Sequence, residues 1–209
     1  MSNMVKQVWK AAMAFVVLAA MAVAGTAQAS DWDDAKEVVV KTTDAMLLMM
    51  KDPAMRQQEN FETLYGEVDA TVSPVVDFDS LSKGVMAHYY RQASDAQKAA
   101  FADQFKTTVI RTFTKALQVI TLDKYQVLPS QGADRDGKAS VRFDFATTDG
   151  KTYRIEYSMH KKGSQWLVYN VTLDGINVGL NFRNQFAEAM NREQDMDKVI
   201  NTWTVAVKE

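Results

Sequence analysis

Apolar positions in the first half of the chain, beyond residue 30, recur at the spacing of α-helices. This spacing predicts helices over residues 33–51, 61–72 and 78–90, with Pro53 and Pro74 close to the ends of the first two. Ser94 and Gln97 have the capping-box spacing and open a longer helix that extends to about Leu122. This long helix is apolar on two stripes, which predicts burial on two sides.

After Leu122 the apolar period changes from about 3.6 to 2, which is typical of half-buried antiparallel strands. Residues 141–145 and 153–159 alternate on either side of the Asp149-Gly150 turn and predict a hairpin. Residues 165–173 and 125–128 predict two further strands, and helices over 180–190 and 196–205 close the chain. The predicted fold is α+β: a twisted antiparallel sheet of about four strands wrapped by helices, with a deep apolar cleft beneath it.

The N-terminal segment has the pattern of an export signal. Lys6 and Lys10 precede an apolar run over residues 11–24, which is too short to span a bilayer. Ala27 and Ala29 are the small residues that a signal peptidase reads, so we predict a signal peptide over 1–29 with cleavage after Ala29. The remainder, 30–209, is predicted to be one domain with a helical part at about 33–122, a sheet at about 125–178 and C-terminal helices at about 180–205.

Charge and cysteine content exclude several classes of protein. Without residues 1–29 the chain has 22 basic and 26 acidic residues, a net charge of −4, which argues against a nucleic-acid partner. The chain contains no cysteine, so it forms no disulfide and carries no thiol for a lipoprotein anchor. We therefore expect a protein free in the periplasm.

Candidate catalytic and metal-binding residues are few. His88 and His160 are the two histidines, and neither lies near other ligands at metal-site spacing or beside an evident serine nucleophile, so we expect neither a metal site nor a hydrolase triad. Asp77, Asp79 or Glu62 could take part in acid–base catalysis in a cone-shaped α+β fold, if burial raised its pKa. The simpler interpretation is that Asp77 or Asp79 caps the helix that follows.

Apolar and aromatic side chains are the most abundant residues that could line a binding pocket. The chain has 12 methionines, and aromatic residues recur on the inward face of the predicted strands. Any one of them can be ordinary core, but together they offer the long, adaptable lining that acyl chains require. The predicted lipid-binding residues lie on the sheet and on the facing side of the long helix: Phe105, Val109, Phe113, Val141, Phe143, Phe145, Tyr153, Ile155, Tyr157, Tyr169, Val171 and Leu173.

Several motifs resemble a known family. They are Asp136-Gly137, Asp149-Gly150, the segment over 166–171, Asp174-Gly175-Ile176 and the segment over 181–186, together with Asp77-Phe78 and the segment over 91–94 in the helical half. This combination, spread over about 38–205, resembles the periplasmic phospholipid carriers of the MlaC family, also called toluene-tolerance auxiliary proteins. The chain differs from the expected family pattern at Asn170, which replaces an aspartate, and at Ala87 and Tyr90, which replace a glycine and a tryptophan.

The resemblance implies a helix-and-sheet fold with the tails of a glycerophospholipid in an apolar cleft and the headgroup near solvent. It also implies two docking partners in a pathway that maintains outer-membrane lipid asymmetry: an outer-membrane lipoprotein–porin complex and an inner-membrane ABC transporter with a ring of MCE domains. The bound lipid is cargo, and no cofactor is expected. We expect a monomer without enzymatic activity.

Two other interpretations remain open from the sequence. The first is a small isomerase or dehydratase that acts on an apolar substrate, with Asp77 or Asp79 as its base. The second is a lipid-free adaptor that bridges envelope complexes and exposes its apolar surface instead of enclosing it. The role of Arg183, as a headgroup contact or in an ion pair or helix cap, is also open.

Overall fold

A computed structural model describes residues 31–132 and 137–204. The predicted signal peptide and its cleavage site lie outside these residues. The helices are α1 (Asp31–Met49), α2 (Phe61–Val72), α3 (Phe78–Met86), α4 (Asp95–Val119), α5 (Val178–Glu193) and α6 (Met196–Asn201). The strands are β1 (Leu122–Val127), β2 (Lys138–Thr147), β3 (Thr152–Lys162), β4 (Gln165–Leu173) and β5 (Ile176–Asn177). In this part of the chain no helix is both long and apolar enough to cross a membrane.

The sheet is an antiparallel meander whose strands follow one another in sequence order. The α+β prediction is confirmed, but the sheet has a fifth strand where about four were expected. Asp174 and Gly175 do not end the sheet; with φ angles of 47° and 83° they form a tight reversal into β5. β5 has only two residues, too few to show an alternating pattern in the sequence.

The predicted helices are present, and their ends differ from the predictions in two informative places. The Ser94–Gln97 capping box opens α4 as expected. Helix α3 ends at Met86 instead of continuing to 90, because Ala87 takes a φ of 51° and the chain continues as a 3-10 helix, Ala87–Arg91. Helix α6 ends at Asn201, earlier than the predicted 205. Shorter 3-10 helices, Pro53–Arg56, Gln58–Asn60 and Ser73–Val75, join the first three helices.

Within the described residues the core consists of three clusters. The first lies between α1 and one face of the sheet, where Ala35 and Val39 pack on Val141, Phe143 and Phe145. The second is purely helical and joins α3, α4, α5 and α6 around Phe101 and Phe186. The third joins Met46 of α1 to Leu64 and Val68 of α2 and to Ile110 and Leu117 of α4. The two stripes of α4 are therefore buried against different helices, not against the sheet.

We expect Ala87→Gly to stabilise the protein by about 1 kcal/mol, because only glycine adopts a φ of 51° with a ψ of −121° without strain. The matched control is Ala100→Gly at an exposed position inside α4, which should destabilise by about 1 kcal/mol. Urea denaturation measures both changes. A destabilised Ala87→Gly variant would show that the backbone at this position is not strained.

Candidate functional site

The inner face of the sheet, on which α1 packs, is buried at one side and open at the other. On β2, Val141 and Phe143 are fully buried and Phe145 is 6% exposed. Along β3, Met159 is buried, whereas the three apolar residues before it on the same face, Tyr153, Ile155 and Tyr157, are only half-buried. Trp166 and Val168 in the first half of β4 are buried as well, so coverage of this face decreases towards the start of β3 and the end of β4.

The open part of this face forms one continuous surface, which we call the apolar patch: Tyr153, Ile155, Tyr157, Val171 and Leu173. Tyr157 is paired with Val171 across the strands, and Ile155 with Leu173. Leu173 is 40% exposed. Burial raises the pKa of the Tyr157 hydroxyl, so this end of the patch is poorly solvated and the side chain stays neutral. The patch is thus an uncharged, partly dry surface on a rigid sheet.

The exposed apolar surface continues past the end of β4. Ile176 of β5 is paired with Leu173 and is 62% exposed, and Leu180 in the first turn of α5 is 52% exposed. Neither residue was among the predicted lining residues. The only signal for them in the sequence was their position around the Asp174-Gly175 turn, where apolar side chains have no periodic pattern to follow.

The predicted helical lining residues do not face the sheet as expected. Phe105 is buried in the helical cluster, with its ring centroid 5.6 Å from that of Phe182. Val109 packs against the same cluster. Phe113 belongs to none of the three clusters and is 41% exposed. The helical and sheet halves of the predicted lining are therefore separate, because α4 packs on other helices.

Tyr169 is also placed differently from the prediction. The register between β3 and β4 shifts between Ser158 and Met159, so Tyr169 is the extra residue of a bulge. Its ring centroid lies 5.1 Å from that of His160, whose side chain points to the face opposite Met159. Tyr169 therefore lies outside the inner face. Because the bulge adds one residue, Val168 and Val171 both lie on the inner face although they are three residues apart.

Two surface cavities lie elsewhere, one among the helices and one beside the first residues of β4. One has a volume of about 580 Å³ and is bordered by α3, the 3-10 helix that follows it, and Arg183 of α5. The other, of about 380 Å³, includes Asp77, Lys106 and Lys162. Neither contains any of the twelve predicted lining residues. The deep apolar cleft therefore stays a prediction.

Asp77 does cap α3, as the simpler interpretation predicted, because its side chain accepts a hydrogen bond from the backbone N–H of Ser80. The structure adds two partners that the sequence did not reveal: His160 Nε2 at 2.9 Å and Lys162 Nζ at 3.4 Å from Asp77 Oδ2. His160 and Lys162 lie two residues apart on the same face of β3 and more than 80 residues from Asp77 in sequence. Only the tertiary fold brings the three groups together.

The electrostatics of Asp77 are opposite to those that a general base requires. Burial acts to raise its pKa, but hydrogen bonds from Ser80 and His160 and the charge of Lys162 outweigh burial and lower the pKa. Ser80 Oγ donates to Asp77 and not to His160, so these three side chains do not form a nucleophilic triad. Asp77 holds α3 against β3 and β4, and nothing here favours the isomerase or dehydratase interpretation.

Within 31–132 and 137–204 no His, Asp and Glu side chains group as metal ligands.

Comparison with known proteins identifies the family. The model of the MlaC protein family matches residues 40–205. The chain belongs to the MlaC family. The toluene tolerance protein ttg2D of Pseudomonas putida is 34% identical over 169 residues, which cover 80% of this chain and 78% of that protein.

A solved structure shares the fold. It is that of the phospholipid-binding protein from Ralstonia solanacearum in complex with a phospholipid, with a TM-score of 0.73 and 25% sequence identity. The similarity covers 80% of this chain and 93% of that one. The resemblance inferred from the C-terminal motifs is thus confirmed at the level of family and fold.

The Asp77 cluster predicts a specific loss of stability in acid. A carboxylate whose pKa is lowered by folding stabilises the protein above its unfolded pKa of about 4, and this contribution is lost as the pH falls through the lower folded value. Asp77→Asn keeps the cap oxygen but removes the charge, so it should destabilise by about 1–3 kcal/mol at pH 7 and by less at pH 3. Urea denaturation at both pH values measures this difference. The control Asp79→Asn, at an exposed neighbouring position, should change little; an equal effect of the two substitutions would contradict the assignment.

Proposed function

We propose that this protein is a periplasmic carrier that moves a glycerophospholipid between an outer-membrane lipoprotein–porin complex and an inner-membrane ABC transporter with MCE domains, and so maintains outer-membrane lipid asymmetry. The observation that carries the proposal is the apolar patch, which lies on a rigid sheet and continues over Leu173, Ile176 and Leu180. Membership of the MlaC family and the phospholipid complex of the Ralstonia relative support it.

The energetics explain why such a carrier is needed. Two acyl chains contain about 30 methylenes, and each costs ~0.8 kcal/mol when it is exposed to water, so a free phospholipid does not cross an aqueous compartment at a useful rate. A carrier replaces that water with apolar side chains. The carrier must also release its cargo, so it should not hold the acyl chains more tightly than a membrane does.

The packing indicates where tails would be accommodated. The sheet cluster and the helical cluster are each well packed internally, and Phe113 of α4 belongs to neither. Sliding the helical half relative to the sheet would widen the space above the apolar patch. It would leave these two clusters intact and would change the packing of the third cluster, which joins α1 to α2 and α4. The proposed lining then consists of the patch, with Phe113 and Val109 contributed by α4. Val141, Phe143 and Phe145 support it from the core beneath α1.

Val171→Lys should abolish stoichiometric phospholipid in protein purified without detergent, because it places a charge at the centre of the patch. Native mass spectrometry followed by lipid extraction measures the bound lipid. The matched control is Thr172→Lys, one residue further along, where the new cation lies on the opposite face beside Glu156. Unchanged lipid in Val171→Lys would remove the patch from the site. A lipid-free wild-type protein that stays lipid-free after incubation with phospholipid vesicles would refute the carrier.

A further inference from the structure

The cavity of about 580 Å³ is unusual for its charge. Lys83, Arg91 and Arg183 border it together with His88, and no carboxylate is among its lining residues. This concentration of cations stands out in a chain with more acidic than basic residues. We call this feature the cationic cavity.

The guanidinium groups of the cationic cavity are not engaged in structural roles. In the described part of the chain, neither Arg91 nor Arg183 forms an ion pair or a side-chain hydrogen bond. By contrast, Arg111 and Arg154 each pair with a carboxylate through two hydrogen bonds. Arginine is a planar donor suited to two oxygens of a phosphate, so two unpaired guanidinium groups at one concave surface are a ready anion site.

The wall of the cavity is built by a constrained backbone. Ala87 borders the cavity and takes a φ of 51° with a ψ of −121°, a conformation that residues with a Cβ rarely adopt. It ends α3 and starts the short 3-10 helix that carries His88 and Arg91 to the cavity. Such strain persists only where the surroundings fix it, and it clusters at ligand sites. Lys83 is held from the same side, with its Nζ 5.4 Å from the centroid of the Tyr90 ring.

Helix α5 connects the cationic cavity with the exposed apolar surface. Arg183 follows Leu180 by three residues on α5, so the two lie on the same side of the helix about one turn apart. Leu180 in turn follows Ile176 and Leu173, which continue from the apolar patch. One molecule with an apolar tail and an anionic head would therefore find both of its parts matched along this path.

We propose that the cationic cavity binds the phosphate of the carried phospholipid, with Arg91 and Arg183 as its direct ligands. This inference rests on the proposed carrier function and adds to it a preference for lipids that bear a phosphate. Free inorganic phosphate has the same chemistry as the headgroup, so the test must separate the two sources.

The experiment compares two ligands with identical tails, dioctanoyl phosphatidylglycerol and dioctanoylglycerol, which lacks the phosphate. Binding to the purified protein is measured by titration calorimetry, with inorganic phosphate as a third titrant. The wild type should bind the phospholipid at least tenfold more tightly, since each charge-assisted hydrogen bond contributes about a factor of ten. In Arg91→Gln/Arg183→Gln the ratio of the two affinities should fall to about one, with the affinity for dioctanoylglycerol unchanged.

The control Lys115→Gln/Lys124→Gln removes the same charge from two exposed positions on α4 and β1 and should keep the wild-type ratio. A ratio that is equally high in both double variants would overturn the inference. If inorganic phosphate then binds the wild type but not Arg91→Gln/Arg183→Gln, the cavity takes free phosphate; if it binds neither, the cavity is not a phosphate site. Equal binding of both lipids to the wild type would overturn the headgroup site alone, whereas binding of neither would overturn the carrier as well.

Discussion

The structure depends on how one helix covers one face of a sheet. Helix α1 is about 10 Å wide and the strands are about 4.8 Å apart, so a single helix covers about two strands. The inner faces of β2, β3 and β4 are all apolar, yet α1 packs chiefly on β2. The apolar patch on β3 and β4 is therefore a direct consequence of geometry, because the sheet offers more apolar width than α1 can bury. Helices α4 and α6 pack in the helical cluster, and α5, which does contact β4 and β5, still leaves Leu173 and Ile176 exposed.

The division into separate clusters also determines which parts of the molecule can move. Within the helical cluster, Phe101 contacts Phe186 and Trp203 with ring centroids 4.8 Å and 5.5 Å apart, so these helices move as a unit. Between the two halves, the segment before α3 contacts the sheet at one edge. Val76 forms a bridge with Val168 of β4 and packs on the sheet cluster, and Asp77 contacts His160 and Lys162 of β3. A contact confined to one edge allows a small rotation about it. In the proposed carrier this edge would serve as a hinge.

The sequence predicted the elements with strong local patterns and missed the contacts that depend on tertiary placement. The alternation in β2 and β3 identified Phe143, Ile155 and Val171 as one face, and the capping box located the start of α4. Tyr169 was assigned to the wrong face because a bulge changes the period by one residue, and nothing in the local pattern indicates a bulge. Periodicity shows which side of a helix is buried, but it does not show which element that side packs against. Phe105 was therefore expected to face the sheet, although it packs among helices. The Asp77 cluster joins residues more than 80 positions apart, which no spacing rule connects.

The partial exposure of the patch has a functional meaning in the proposed carrier. A fully enclosed pocket for two acyl chains would recover almost all of the cost of removing ~30 methylenes from water, and release into a membrane would then be slow. A surface that leaves Leu173, Ile176 and Leu180 exposed recovers only part of that cost, and these residues are the first that a receiving surface could contact. A phosphate contact at the cationic cavity would compensate through charge, which a polar partner or a change in ionic strength can weaken. Apolar burial would then set how strongly the lipid is held, and the charged contact would set where and when it is released.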